Sequence, residues 1–98
     1  MDILSDPIQF QWDEGSSNKN GKKHRVTNEE CEEVFFDPHK RVVKDTFHSD
    51  TEERHILLGQ TKEKRILFVV FTVRSGKIRV ISARDLNKKE KRLYEEKD

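Results

Sequence analysis

Apolar residues in this chain recur mostly at every second position, the spacing of a strand buried on one face. In IQFQW, residues 8–12, Ile8, Phe10 and Trp12 alternate with glutamines and predict a short opening strand. Three longer runs, ERHILLGQT at 53–61, RILFVVFT at 65–72 and KIRVISA at 77–83, are rich in branched and aromatic side chains and predict the main strands. The joints between them, KEK and RSG, are of turn length, so the three should pair as an antiparallel meander. RILFVVFT lacks polar alternation and is expected at the centre, with both faces largely covered. RVVKD at 41–45 has only Val42 and Val43 to bury and reads as a short edge strand.

Other segments carry helical signals. Thr27 and Glu30 form a capping box, Val26 and Cys31 occupy the positions of a hydrophobic staple, and Cys31, Val34 and Phe35 share one face. That helix should stop at FDP, because Pro38 pushes Asp37 out of helical geometry. A last helix, capped by Asn87, places Leu86, Glu90, Leu93 and Tyr94 on one inward stripe. Residues 17–24 allow a polar helix despite Gly21. The elements together predict one α+β domain over residues 1–98, a small twisted antiparallel sheet with helices packed on one face.

Composition makes this core thin. Hydrophobic residues are 32% of the 98 positions, so a partner chain is expected to help cover apolar surface. The net charge of +1 excludes nothing, but its distribution is uneven. From Arg74 to Arg92, eight basic residues face two acidic ones, a local net of +6 that includes Arg79, Lys88, Lys89 and Arg92. Such a segment can present a phosphate-attracting face on a neutral protein. The single cysteine, Cys31, excludes an internal disulfide and a multi-cysteine metal site. The longest apolar run, residues 66–71, is too short to span a bilayer, and with no basic-then-apolar leader the expected location is the cytoplasm.

The candidate chemistry lies in arginines on strands and in one polar segment. If the last strand is regular, Ile78, Val80 and Ser82 face one way and Arg79, Ile81 and Ala83 the other, with Arg84 at the strand's end. Arg54 opens the strand two places away and is expected to approach the same end, making a guanidinium cluster able to hold phosphate. An arginine on a sheet more often pairs with a carboxylate, and Glu90 is the available partner. Asn20, Lys23 and His24 share a face if their segment is helical. His24 could then serve as acid or base and Lys23 could stabilise a phosphorane, against the plainer reading of a solvated basic turn. No metal-ligand spacing and no glycine-rich phosphate loop is present, and no cofactor is expected.

These residues also carry a resemblance. FQWD at 10–13, Asn20 with KH at 23–24, VFFD at 34–37, EER at 52–54, LFVVFT at 67–72, IRVISAR at 78–84 and EKRLYE at 90–95 resemble, in order and spacing, the BrnT toxins. The chain departs from their usual pattern at Ser16 for a lysine, Arg25 for the glycine after the histidine, Asn28 for an aromatic residue and Leu86 for an alanine. The resemblance implies a RelE-like fold and a cytoplasmic, metal-independent endoribonuclease that halts translation. Arg84, His24, Lys23 and Arg54 would be catalytic, with Arg79, Lys88, Lys89 and Arg92 on RNA and Glu90, Tyr94 and Asn20 supporting the site. It further implies a ribbon-helix-helix antitoxin of the BrnA type, whose complex with the toxin binds operator DNA. The competing expectation is a non-catalytic module that meets RNA or a protein without cutting anything.

Overall fold

The computed structural model describes residues 8–12, 25–46 and 52–96. Strands β1 (Arg41–Lys44), β2 (His55–Gln60), β3 (Ile66–Arg74) and β4 (Lys77–Asp85) lie side by side in chain order, each antiparallel to the next. The expected meander thus extends to the short strand, which takes an edge. Along the outer side of β4, residues 8–12 run parallel to it. The Gln11 N–H donates to the Ile78 carbonyl and the Ile78 N–H to the Gln9 carbonyl, each at 2.8 Å. A two-residue turn joins β3 to β4, with φ of 50° at Ser75 and 77° at Gly76, the positive pair that suits the twist of a tight hairpin. The polar helix expected over residues 17–24 lies outside the described residues.

One face of the sheet carries the core. Leu57, Leu67, Val69, Phe71, Ile78, Val80 and Ala83 are buried there against helix α1 (Asn28–Val34) and its flanks. The capping box is present as expected: Thr27 Oγ1 accepts from the Glu30 N–H at 3.1 Å, and Glu30 accepts from the Thr27 N–H at 3.0 Å. Val26 and Cys31 are fully buried, as a staple requires. The helix ends at Phe35, whose ring meets Phe10 at 5.2 Å and Phe71 at 5.0 Å, both edge to face. Close approach of α1 to β2 depends on Gly59, where an added Cβ would lie 2.7 Å from the Val34 carbonyl oxygen.

The second face is only partly covered. Ile66, Phe68 and Val70 of β3 are half-buried, whereas Leu67, Val69 and Phe71 are buried, so β3 is central but unevenly covered. Helix α2 (Lys88–Glu95) starts with its own capping box, Asn87 with Glu90, and has no buried residue. The inward stripe expected of it is half realised: Glu90 and Tyr94 are partly buried while Leu93 is 51% exposed. Polar side chains at the end of the sheet hold this helix where an apolar stripe was expected. No helix among the described residues is long and apolar enough to cross a membrane.

Candidate functional site

The site begins with an irregularity in β4. Phe71 pairs with Val80 but Val70 pairs with Ser82, so Ile81 is an extra residue, a β-bulge. Before it the strand alternates as expected; after it the phase inverts. Ala83 therefore joins Ile78 and Val80 in the core, while Ser82 and Arg84 join Arg79 on the opposite face. A regular strand would have put Ser82 with Ile78 and Val80. The bulge corrects that expectation and brings both arginines to one surface.

Arg84 is held there by three contacts. Its guanidinium lies over the ring of Phe68, its register partner, at 4.0 Å. Nη1 and Nη2 donate to Glu90 Oε1 and Oε2 at 2.8 and 2.7 Å, and Nη1 donates also to the Asp85 carbonyl at 3.1 Å. These bonds hold the Glu90 carboxyl below the usual carboxylate range, overcoming its burial, and raise the Arg84 pKa. Glu90 uses the end of the guanidinium. The side fork, Nε with the second hydrogen of Nη2, has no partner among the described residues, and the side chain is 37% exposed. A fork of that shape fits two oxygens of a phosphate.

Glu90 is also a cap: it accepts from the Asn87 N–H at 3.0 Å, so one carboxylate starts α2 and fixes Arg84. The far end of α2 is pinned by Tyr94, whose hydroxyl donates to Asp37 Oδ2 at 2.5 Å. Asp37 accepts in addition from the Gln60 N–H at 2.8 Å and the His39 N–H at 2.9 Å. Burial raises its pKa, but these bonds outweigh burial and leave it lowered. In the sequence Asp37 stood only in the helix stop FDP and at the end of the VFFD match, with nothing to mark it as an acceptor for distant partners. Lys88, Lys89 and Arg92 are exposed on α2.

Arg54 does not meet Arg84. It precedes His55, which pairs with Phe71, whereas Arg84 pairs with Phe68 two strands away. The register places Arg54 instead near Thr72 and its partner Arg79, where the Thr72 hydroxyl donates to the Glu53 carbonyl at 2.8 Å. Glu52 lies in this group and accepts from Arg74 Nε and Nη2, each at 2.8 Å. Its carboxyl is lowered by those bonds and by the charges of Arg74, Arg54 and Arg79.

Arg65, which the sequence did not single out, makes the densest polar junction. Nε and Nη2 donate to Asp85 at 2.6 and 3.0 Å, while Nη1 donates to Glu30 at 3.1 Å and to the Arg25 carbonyl at 2.8 Å. Arg25, the residue after His24, is thereby tied to Asp85, the residue after Arg84. The φ of Arg25 is 54°, the left-handed region in which glycine is at ease. Asn20, Lys23 and His24 lie outside the described residues. Among the described residues no group of His, Cys, Asp and Glu could hold a metal ion.

Over residues 12–90 the chain matches a family model of ribonuclease toxins from type II toxin-antitoxin systems. That span takes in all four strands, α1 and the start of α2 with Glu90, which sets the class of protein. The family is BrnT, and the chain belongs to it. Membership implies an RNA substrate and an antitoxin partner. No curated protein matches the chain.

Proposed function

We propose that the chain is a metal-independent, RelE-like endoribonuclease that cuts RNA on the sheet face opposite the core and so halts translation. The observation that carries this reading is the Arg84 guanidinium, 37% exposed and with no described partner on its side fork, held by Glu90 and Phe68 on a basic face. In this reading Arg84 takes the scissile phosphate and steadies the phosphorane as charge gathers on its oxygens. His24 moves the proton at the 2′-hydroxyl or the leaving oxygen, Lys23 adds positive charge, and Asn20 supports their segment. Arg79, Lys88, Lys89 and Arg92 attract the RNA backbone. Arg54, set apart by the register, is assigned to binding and not to chemistry. Glu90 and Tyr94 keep α2 in place beside Arg84.

The antitoxin is proposed to be a BrnA-like ribbon-helix-helix protein, the complex of which binds operator DNA. Exposed Phe36, Val43 and Leu93 offer apolar surface for it to cover. One observation favours a second reading: Arg84 is already paired with Glu90, as a structural arginine would be, leaving a binding module without catalysis. Two measurements separate them. Expression without a partner should arrest growth, and the purified protein should degrade RNA in EDTA with steep inhibition by salt. Normal growth with intact RNA at high protein concentration would establish the second reading, and cleavage only on adding a divalent cation would end the metal-independent one.

A further inference from the structure

The face that carries Arg84 has a second basic cluster at its other end. Along β3, Phe68, Val70, Thr72 and Arg74 all point away from the core, and their partners on β4 are Arg84, Ser82, Arg79 and Lys77. Arg74 and Arg79 therefore share a surface with Arg84, joined by Arg54 from the chain before β2. Between the two ends lies a half-buried row of Ile56, Val70 and Ser82. Thr72 is four residues from Phe68, which sets the two clusters roughly 13 Å apart at a strand rise of about 3.3 Å per residue. A single RNA strand covers that distance in about two nucleotide steps while its backbone follows a basic groove.

Glu52 occupies the Arg74 part of the second cluster. Its two carboxylate oxygens take the side fork of Arg74, at 2.8 Å each, the same fork that has no described partner in Arg84. A carboxylate in a guanidinium fork presents two oxygens as a phosphate does, with less charge. The pair is not buried: the Arg74 side chain is 51% exposed and that of Glu52 30%.

We propose that Arg54, Arg74 and Arg79 form a second phosphate site for the RNA strand, which Glu52 fills in the free protein as an internal competitor. This rests on the reading of the chain as an RNA-binding toxin and adds where a second backbone phosphate is gripped. RNA displaces the Glu52 carboxylate from Arg74, so Glu52 weakens binding and the arginines strengthen it. The two kinds of variant should then move affinity in opposite directions, which loss of folding cannot imitate.

The test measures binding of 2′-O-methyl RNA, which cannot be cleaved through its 2′-hydroxyl, as an eight-nucleotide strand and as a dinucleotide, over a salt series. On the longer strand Glu52→Gln should tighten binding several-fold and Arg74→Ala should weaken it several-fold, with the salt slope shallower by about 0.7 for the arginine variant. The dinucleotide, too short to reach from Arg84 to Arg74, should respond little to either. Unchanged binding of the longer strand by both variants would overturn the second site while leaving the toxin reading intact. Equal responses from the dinucleotide would overturn it too, since a general field would then explain the effect. If the wild-type protein binds neither strand, the RNA reading and the second site fall together.

Discussion

Replacing Arg84 by lysine and Glu90 by glutamine separates what Arg84 does for the fold from what it does for RNA. The pair is intermediate in burial, with side-chain exposures of 37% and 16%. Breaking a buried pair costs about 3–5 kcal/mol and an exposed one about 1 or less, so Glu90→Gln should cost about 2 kcal/mol. At 4–8 °C per kcal/mol, that lowers Tm by roughly 8–16 °C. Arg84→Lys keeps a charge opposite Glu90 but loses the planar stack on Phe68, for about 1 kcal/mol. Its Tm should fall by roughly 4–8 °C.

Activity should rank the other way. An ammonium has no side fork, so Arg84→Lys gives up the bidentate grip on the phosphorane, about 2.7–4 kcal/mol or roughly 100- to 1,000-fold in cleavage rate. Glu90→Gln leaves the fork in place and should stay within about tenfold of wild type per folded molecule. The assay is single-turnover cleavage below both transitions, beside a melting curve for each variant. Normal cleavage by Arg84→Lys, or a loss in folded Glu90→Gln as deep as that of the lysine variant, would refute the division of labour.

Arg25→Gly should stabilise the protein, because the exposed Arg25 side chain sits at φ 54° and relief of left-handed strain of about 1–2 kcal/mol exceeds the added chain entropy of about 0.5–1; an unchanged or lower Tm would show that the side chain contributes otherwise. Gly59→Ala should destabilise by about 1–3 kcal/mol, since its methyl would meet the Val34 backbone; a denaturant midpoint equal to wild type would contradict the close approach. Stability should fall at both extremes of pH. Glu30, Asp37 and Glu90 have lowered folded pKa values, so what they contribute is complete above the unfolded carboxylate range of about 4–4.5 and disappears as pH drops through the folded values. Burial raises Cys31 to about 12 and, with Asp37, raises Tyr94, so their contributions are complete below the unfolded values and shrink as pH climbs past about 9. A Tm that rose between pH 6 and pH 4 would be incompatible with this.

Helix α1 was legible because its signals are local: Thr27, Glu30, Val26 and Cys31 lie within six positions and leave little choice. The order of the strands followed from short joints in the same way. The pairing of Glu90 with an arginine was also within reach, since both lie near one turn. What escaped depends on distant partners. Arg65 gathers Asp85, Glu30 and Arg25 from separate parts of the chain, and Asp37 waits for Tyr94 across 57 positions. Arg54 was placed with Arg84 although alternating strand directions in an antiparallel meander put the start of β2 and the end of β4 at opposite ends of the sheet, as the pairings of His55 with Phe71 and of Arg84 with Phe68 bear out. At position 25 the resemblance led one to expect a glycine, and the φ of 54° at Arg25 is the backbone in which glycine is at ease.

The extra residue at Ile81 gives β4 a parity. Residues before it and residues after it obey opposite odd-even rules, so the chemistry of the strand's end is fixed by counting and not by identity alone. Deleting a single residue between Arg79 and Ala83 would keep every arginine in the sequence. It would also remove the residue that the bulge absorbs, so a regular strand would still turn Ala83 to the core and Arg84 away from it. A one-residue gap in this short stretch therefore preserves the faces, whereas counting odd and even straight through the present strand puts Arg84 on the wrong side.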